Sequence, residues 1–230
     1  ESMGSSLDGK YSGTWGALGT FSSFFSHHIS TMEGGMIVTD DEELFHIVLC
    51  LRAHGWTRNL PKANMVAELS DDNFMESFRF ILPGYNVRPL EMSVAIGIHQ
   101  LEKLDSIVEG RRKNAVFFKH RFGAIDSISI QKEVGKSSWF GFALVFSTSK
   151  RRNKAIEIFE KNKIDCRPVV AGNFTLNPAV KFFDYSIHGD LTSTNKIHDC
   201  GLFIGNHHYD VTNELNKVAE ILESISQAEI

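Results

Sequence analysis

Apolar positions along this chain fall into short blocks whose spacing changes twice. Gly19 to Phe25 and Met36 to Val38 read as two short strands around a polar loop that carries His27. Thr39-Asp-Asp-Glu42 reads as a capping box, followed by Leu44, Ile47, Val48 and Leu51 at helical spacing, with Gly55 as the stop. Residues 56–80 have no period and charges of both signs; so long a loop is expected to be functional or mobile. Pro83 to Pro89 reads as a turn, with Pro89 opening a helix whose face is Met92, Ala95, Ile96, His99 and Leu104. A second helix over about 108–121 ends near Gly123.

From there strands and helices interleave. Ser127–Gln131 and Trp139–Phe146 alternate like strands, 150–162 is an amphipathic helix, and Ile164–Val170 is a further strand. Residues 213–227 form a last helix with Leu215, Val218, Ile221 and Leu222 inward. The pattern predicts an α/β chain whose last part is a small α+β domain. The domains expected are 1–88, part of a larger domain; 89–123, connecting helices; and 124–230, the small domain.

Composition narrows the class. With 230 residues, 42% hydrophobic and 23% charged, the chain is of ordinary globular make-up, and 18 Phe supply material for a core. A net charge of −4 gives no nucleic-acid footprint, and no apolar run is long enough to cross a bilayer. Cys50, Cys166 and Cys200 are scattered and odd in number, as in a reduced, cytoplasmic chain without a zinc or iron–sulfur cluster. The abrupt opening Glu1-Ser-Met-Gly-Ser reads as the later part of a longer protein. His27-His28 and His207-His208 are adjacent pairs without carboxylates at ligand spacing, so no metal is expected. Arg111-Arg-Lys113 and Arg151-Arg152 read as solvated helix faces, and Trp139-Phe-Gly-Phe142 as sheet core.

The segment Ser22 to Gly35 resembles the cofactor-lysine segment of the DegT/DnrJ/EryC1/StrS sugar aminotransferases, roughly Ser-Phe-x-x-x-Lys-x-x-x-x-x-Glu-Gly-Gly. Counting back from Glu33 puts His27 where the lysine belongs. Leu51-Arg-Ala-His-Gly-Trp-Thr-Arg-Asn-Leu60, Leu82-Pro-Gly-Tyr-Asn-Val-Arg-Pro-Leu-Glu-Met92, Ser138-Trp-Phe-Gly-Phe142, Cys166-Arg-Pro168 and Gly205-Asn-His207 extend the resemblance over nearly the whole chain. They point to the 3-dehydratases of that family.

The resemblance implies an aspartate-aminotransferase-like, fold-type-I chain working as a homodimer. Pyridoxamine or pyridoxal phosphate is the implied cofactor, with glutamate as co-substrate. The implied reaction removes the C3 hydroxyl of a GDP-bound 4-keto-6-deoxymannose during colitose synthesis for bacterial O-antigens. By position, Ser22 matches the serine on the cofactor phosphate, and Asn86 matches the asparagine that reaches the partner's phosphate. His27 matches the base, and Glu1 falls beside the cofactor. The acidic residue for the pyridine nitrogen would lie upstream. An imidazole moves protons near neutral pH but forms no covalent link to the cofactor, so His27 favours dehydration over amino transfer. Arg58, Arg88 and Arg167 are candidates for the diphosphate, and His54 for the sugar. Two other readings stand beside this one: an ordinary aminotransferase, which needs a lysine near 27 where the nearest downstream is Lys62, and a non-catalytic dimerising fragment.

Overall fold

A computed structural model describes residues 1–227, and the chain divides into two compact units, Glu1–Leu104 and Asp105–Ile230. In the first unit β1 (Ser6–Leu7) and β2 (Lys10–Tyr11) form a minimal ribbon. β3 (Gly19–Ser22) and β4 (Gly35–Val38) form an antiparallel hairpin in the register Gly19 to Val38 and Ser22 to Gly35. Helix α1 spans Glu42–Leu51. Its N-cap is Asp41, whose carboxylate accepts from the Leu44 amide at 3.0 Å. Thr39 does not close a capping box, because its hydroxyl donates to Ala17 O at 2.7 Å. Residues 56–80 contain the short α2 (Asn73–Glu76), and α3 spans Glu91–Leu101, two residues after Pro89. The α3 face marked out by Met92 and Ile96 is open: Met92 is 70% exposed, and Ser93 is the buried residue of this helix.

The second unit is built around α4 (Leu104–Phe122), whose first residue closes the first unit. It continues through β5 (Ile128–Ile130), β6 (Gly141–Phe146), α5 (Ser149–Lys161) and β7 (Cys166–Arg167). Two 3₁₀ turns follow, then α6 (Thr192–Cys200), β8 (Gly201–Gly205) and α7 (Thr212–Gln227). The strands form one antiparallel sheet in the order β5-β6-β8-β7. Strand β7 is shorter than the run Ile164–Val170 suggested, because Pro168 supplies no amide to the ladder. At the other edge the Gln131 side chain carries the pairing one step past β5. Its Nε2 donates to Gly141 O (3.0 Å) and its Oε1 accepts from the Ala143 amide (2.5 Å).

Alternation along β6 and β8 sends Phe142, Leu144, Phe146, Leu202 and Ile204 to one face. There they meet Phe118 and Phe122 of α4, Phe159 of α5, and Leu215, Val218 and Leu222 of α7. The rings of Phe118 and Phe142 stack at 4.1 Å. Each such buried ring contributes about 1.5–3 kcal/mol of transfer free energy. A bidentate pair, Arg121 to Glu223 at 2.5 and 2.8 Å, ties α4 to α7 at the surface. Among the described residues no helix is long and apolar enough to cross a membrane.

Candidate active site

The β3–β4 hairpin holds the His27 loop by polar closures. The Ser23 amide donates to Gly34 O (3.0 Å), and the Thr31 amide donates to Ser23 O (2.8 Å). The two hydroxyls of Ser23 and Thr31 lie 2.7 Å apart. Gly34 is required here. Its φ is +152°, and a Cβ would stand 2.7 Å from Thr31 Oγ1 and 2.9 Å from Ser23 Oγ. The Ser30 amide donates to Gln100 Oε1 at 3.4 Å, which seats the loop on α3.

Within the loop His27 is half-buried, its amide donating to Phe24 O (2.9 Å) and its ring edge-on to that of Phe24. His28 is buried at 4% exposure, so His27 is the more accessible imidazole of the pair. Ser22 is exposed at the end of β3, and its Oγ accepts from the Phe24 amide at 3.3 Å. A cavity of about 260 Å³ lies against this loop, walled by Ile29, Met36, Pro89 and Val94 among others. Its lining is mostly apolar and includes none of the sequence-predicted site residues.

A second group is assembled where the end of α1 crosses the turn before α3. Tyr85 N donates to Leu51 O (2.7 Å), His54 N to Tyr85 O (2.8 Å) and Val87 N to Arg52 O (3.0 Å), with Ala53 paired to Asn86. The crossing needs two glycines. A Cβ on Gly55, whose φ is +84°, would lie 1.7 Å from Leu82 O, and one on Gly84 would lie 2.1 Å from Gly55 N. Next to it His54 adopts φ +63°, a conformation an imidazole side chain holds at some cost. Its ring lies 4.8 Å from that of Trp56. Asn86 and Arg88 are exposed, and the Asn86 amide has no hydrogen-bond partner among the described residues. The Arg58 guanidinium carbon lies 4.3 Å from the ring of Trp56 and 5.1 Å from that of Phe78.

Arg167 stands on β7 of the second unit, its guanidinium 4.8 Å over the ring of Phe203. Glu1 is exposed at the start of the chain. The predicted residues therefore lie on several pieces of the fold. Ser22 and His27 share the hairpin, while His54, Arg58, Asn86 and Arg88 share the crossing and its loop. Arg167 belongs to the second unit.

One polar centre escapes the sequence reading. Arg111 is buried at 4% exposure rather than solvated. Its Nη1 donates to Phe140 O and Asn206 O, both at 2.9 Å, and desolvation lowers its pKa. Asn114 donates to Asn206 Oδ1, His207 O and Tyr209 O, and Asn206 donates back to Arg111 O and Trp139 O. The network fixes residues 206–209, where the ring of His207 stacks on Tyr209 at 3.9 Å. Burial, followed by the neighbouring charges of His208 and Arg111, pushes the His207 pKa down. The available signal was the spacing of Arg111 and Asn114, which puts both on one helical face opposite the Gly205-Asn-His207 motif.

Comparison with known proteins bears on these residues. The model of the DegT/DnrJ/EryC1/StrS aminotransferase family matches residues 1–223. A GDP-4-keto-6-deoxy-D-mannose 3-dehydratase of Yersinia pseudotuberculosis is 56% identical over 227 residues, covering 97% of this chain and 58% of that protein. An enzyme of the same name from Escherichia coli O55:H7 is 52% identical over the same shares. The chain thus spans little more than half the length of these relatives. Among solved structures, the E. coli 3-dehydratase with bound hydrated PLP superimposes with a TM-score of 0.92 at 51% identity, covering 95% of this chain and 57% of that one. A histidine-to-asparagine variant of GDP-4-keto-6-deoxymannose-3-dehydratase with bound GDP-perosamine gives 0.91 at 50% identity, covering 95% and 58%.

Proposed function

Because the chain belongs to the DegT/DnrJ/EryC1/StrS aminotransferase family, we propose that the whole protein is a 3-dehydratase of a GDP-activated 4-keto-6-deoxyhexose, GDP-4-keto-6-deoxymannose. The observation that carries this reading is a histidine, not a lysine, at position 27 of the hairpin loop, in a chain 56% identical to an enzyme of that name. The hydroxyl of Ser22 is exposed, and the amide of Asn86 is unpartnered among the described residues; neutral donors of this kind suit a cofactor phosphate. When bound, pyridoxamine phosphate supplies an amine for the C4 keto group and a ring that accepts electrons. Ser22 holds the phosphate of its own subunit's cofactor, and Asn86 reaches that of a second copy, which makes the working form a homodimer.

His27 takes a proton from the cofactor's C4′ carbon and delivers one to the C3 oxygen as it leaves. With no lysine in the loop, no side chain there competes covalently for the cofactor. Glu1 stands beside the cofactor ring. Arg58 and Arg88 of the first unit offer the diphosphate their planar forks, and His54 is the group for the sugar. Glutamate restores the amine form of the cofactor. The product enters colitose and O-antigen synthesis, and the reaction is cytoplasmic, where thiols such as Cys50, Cys166 and Cys200 stay reduced.

The test is a single-turnover reaction of the whole protein, loaded with pyridoxamine phosphate, with GDP-4-keto-6-deoxymannose. The expected product is the 3-deoxy sugar, with 2-oxoglutarate released on adding glutamate. A 4-amino sugar as main product would return the protein to the ordinary aminotransferases.

A further inference from the structure

Residues 56–80 are an ordered loop, and one carboxylate organises them. Glu76, the last residue of α2, accepts through Oε2 from the Thr57 hydroxyl at 2.9 Å. Its Oε1 accepts from the Ser70 amide at 2.8 Å and from Arg79 Nη1 at 2.7 Å. Arg79 Nη1 also donates to Glu68 O (2.7 Å), and the Thr57 amide donates to Arg79 O (3.1 Å). An antiparallel bridge from Trp56 to Phe80 closes the loop. The Glu76 side chain is 15% exposed. Its bonds, that from Ser70 foremost and then that from Arg79, hold its carboxyl below the usual range. None of this is used by the mechanism above.

What the hub presents is Arg58. Between Glu76 and Arg79 lie Ser77 and Phe78, and both touch Arg58. Arg58 Nη2 and Nε donate to Ser77 O at 2.7 and 3.3 Å. The guanidinium sits in the corner made by the rings of Trp56 (4.3 Å) and Phe78 (5.1 Å), which meet edge to face at 6.1 Å. One edge of the fork is therefore anchored on Ser77 O, and the group rests in an aromatic corner. Nη1 has no partner among the described residues. An arginine already ordered in this way binds a two-oxygen anion without the rotamer entropy that a free side chain loses.

We propose that Glu76 is the positioning residue of Arg58: by pinning the Ser77-Phe78 cradle to Thr57 and Ser70, it sets the open edge of the guanidinium toward the diphosphate of the nucleotide sugar. The proposal rests on the functional reading given above. Glu76 itself touches no substrate; it acts through Arg58.

The experiment is calorimetric titration of GDP into the whole protein and into Arg58→Gln, Glu76→Gln and the double variant. Pyridoxal phosphate binding is followed by absorbance in each. Each single change is expected to weaken GDP by about tenfold, the range of a lost charge-assisted bond. The double variant is expected to be no weaker than Arg58→Gln alone within about twofold, because both act on one contact. Cofactor affinity stays unchanged, which separates the sugar diphosphate from the cofactor phosphate as the anion served. In turnover the KM for the GDP-sugar rises while kcat holds. Thr57→Val, which removes one bond to the hub, carries the same test if Glu76→Gln does not fold, with a loss of roughly threefold.

GDP affinity unchanged in Glu76→Gln (or in Thr57→Val where that variant stands in), losses that multiply in the double variant, or a wild-type protein that binds no GDP would each overturn the proposal. A protein that shows the expected binding pattern yet makes no 3-deoxy sugar would leave Glu76 in its role and remove the assigned reaction instead.

Discussion

Five phenylalanines of the second unit, Phe118, Phe122, Phe142, Phe146 and Phe159, are fully buried, whereas in the first unit Phe25, Phe74, Phe78 and Phe80 are all more than half exposed. The buried apolar residues of the first unit are few and none is aromatic: Met3, Ile29, Cys50, Ala53 and Leu60. Its order comes instead from polar closures and from backbone passing against backbone, as at Ser23 and Thr31, at Gly55 and Gly84, and around Glu76. The second unit is held by an area of contact that tolerates small adjustments. The first is held by a few directional contacts, and the residues proposed for chemistry sit beside them.

The largest expected effect tests the aromatic core. Phe118→Ala should destabilise the second unit by about 3–5 kcal/mol, the range for emptying a packed phenylalanine site. Phe74→Ala, at 84% exposure in the first unit, should change stability by less than about 0.5 kcal/mol. Hydrogen exchange under increasing urea reports the two units separately, and equal losses at the two sites would erase the contrast.

Next comes the backbone crossing. Gly55→Ala places a methyl group into Leu82 O and strains a positive φ, so a loss of about 1–3 kcal/mol is expected. Faster exchange of the Tyr85 and Val87 amides would locate it. Unchanged protection there would show that the crossing is not what holds His54 near Asn86.

A gentler probe is pH. The folded second unit resists protonation of His207, because burial lowers its pKa, while the unfolded chain binds that proton near the ordinary value of about 6.5. The stability contribution is complete above that pH and is lost as pH falls through the lowered folded value. His207→Gln should flatten this dependence in β6 and β8 without altering the first unit. A wild-type profile level between neutral pH and 5 would remove His207 as its source. Smallest of all, Met92→Gln on the open face of α3 should leave stability within about 0.5 kcal/mol. A larger loss, read from the urea midpoint, would mean that this face is covered in solution.

The same division explains what could be seen in the sequence. The β3–β4 hairpin, α4, β6 and α7 were legible because period and partner agree: Leu215, Val218 and Leu222 recur at helical spacing and find a core. Met92 and Ile96 show the same spacing, which predicts a helix but says nothing of what covers it, and here both are exposed. Strand β8 and helix α6 were missed. Thr192-Ser-Thr-Asn195 favours turns over helices, and the apolar run at 202–204 is short. Arg111 looked like part of a charged surface because its acceptors, Phe140 and Asn206, are distant in sequence. The hub at Glu76 was hidden for another reason: its partners Thr57, Ser70 and Arg79 lie in a loop without period, where spacing does not show which groups meet. His27, Ser22 and Asn86 were picked out as candidates by motif, since their spacing is local; the cradle of Arg58 joins Trp56 to Ser77 and Phe78 through a loop with no periodic spacing to link them.

Gln131 has a consequence for the life of the protein at high concentration. A sheet that ends in open amides invites a neighbouring chain to add a strand, and stacking of this kind leads to aggregates. Here the carboxamide of Gln131 already occupies Gly141 O and the Ala143 amide of β6, beyond the point where β5 stops. At the opposite edge, β7 offers only Cys166 and Arg167 before Pro168 ends the row of donors. Among the described residues both edge strands are short and the free end of β6 is occupied, so little template is left for edge-to-edge joining.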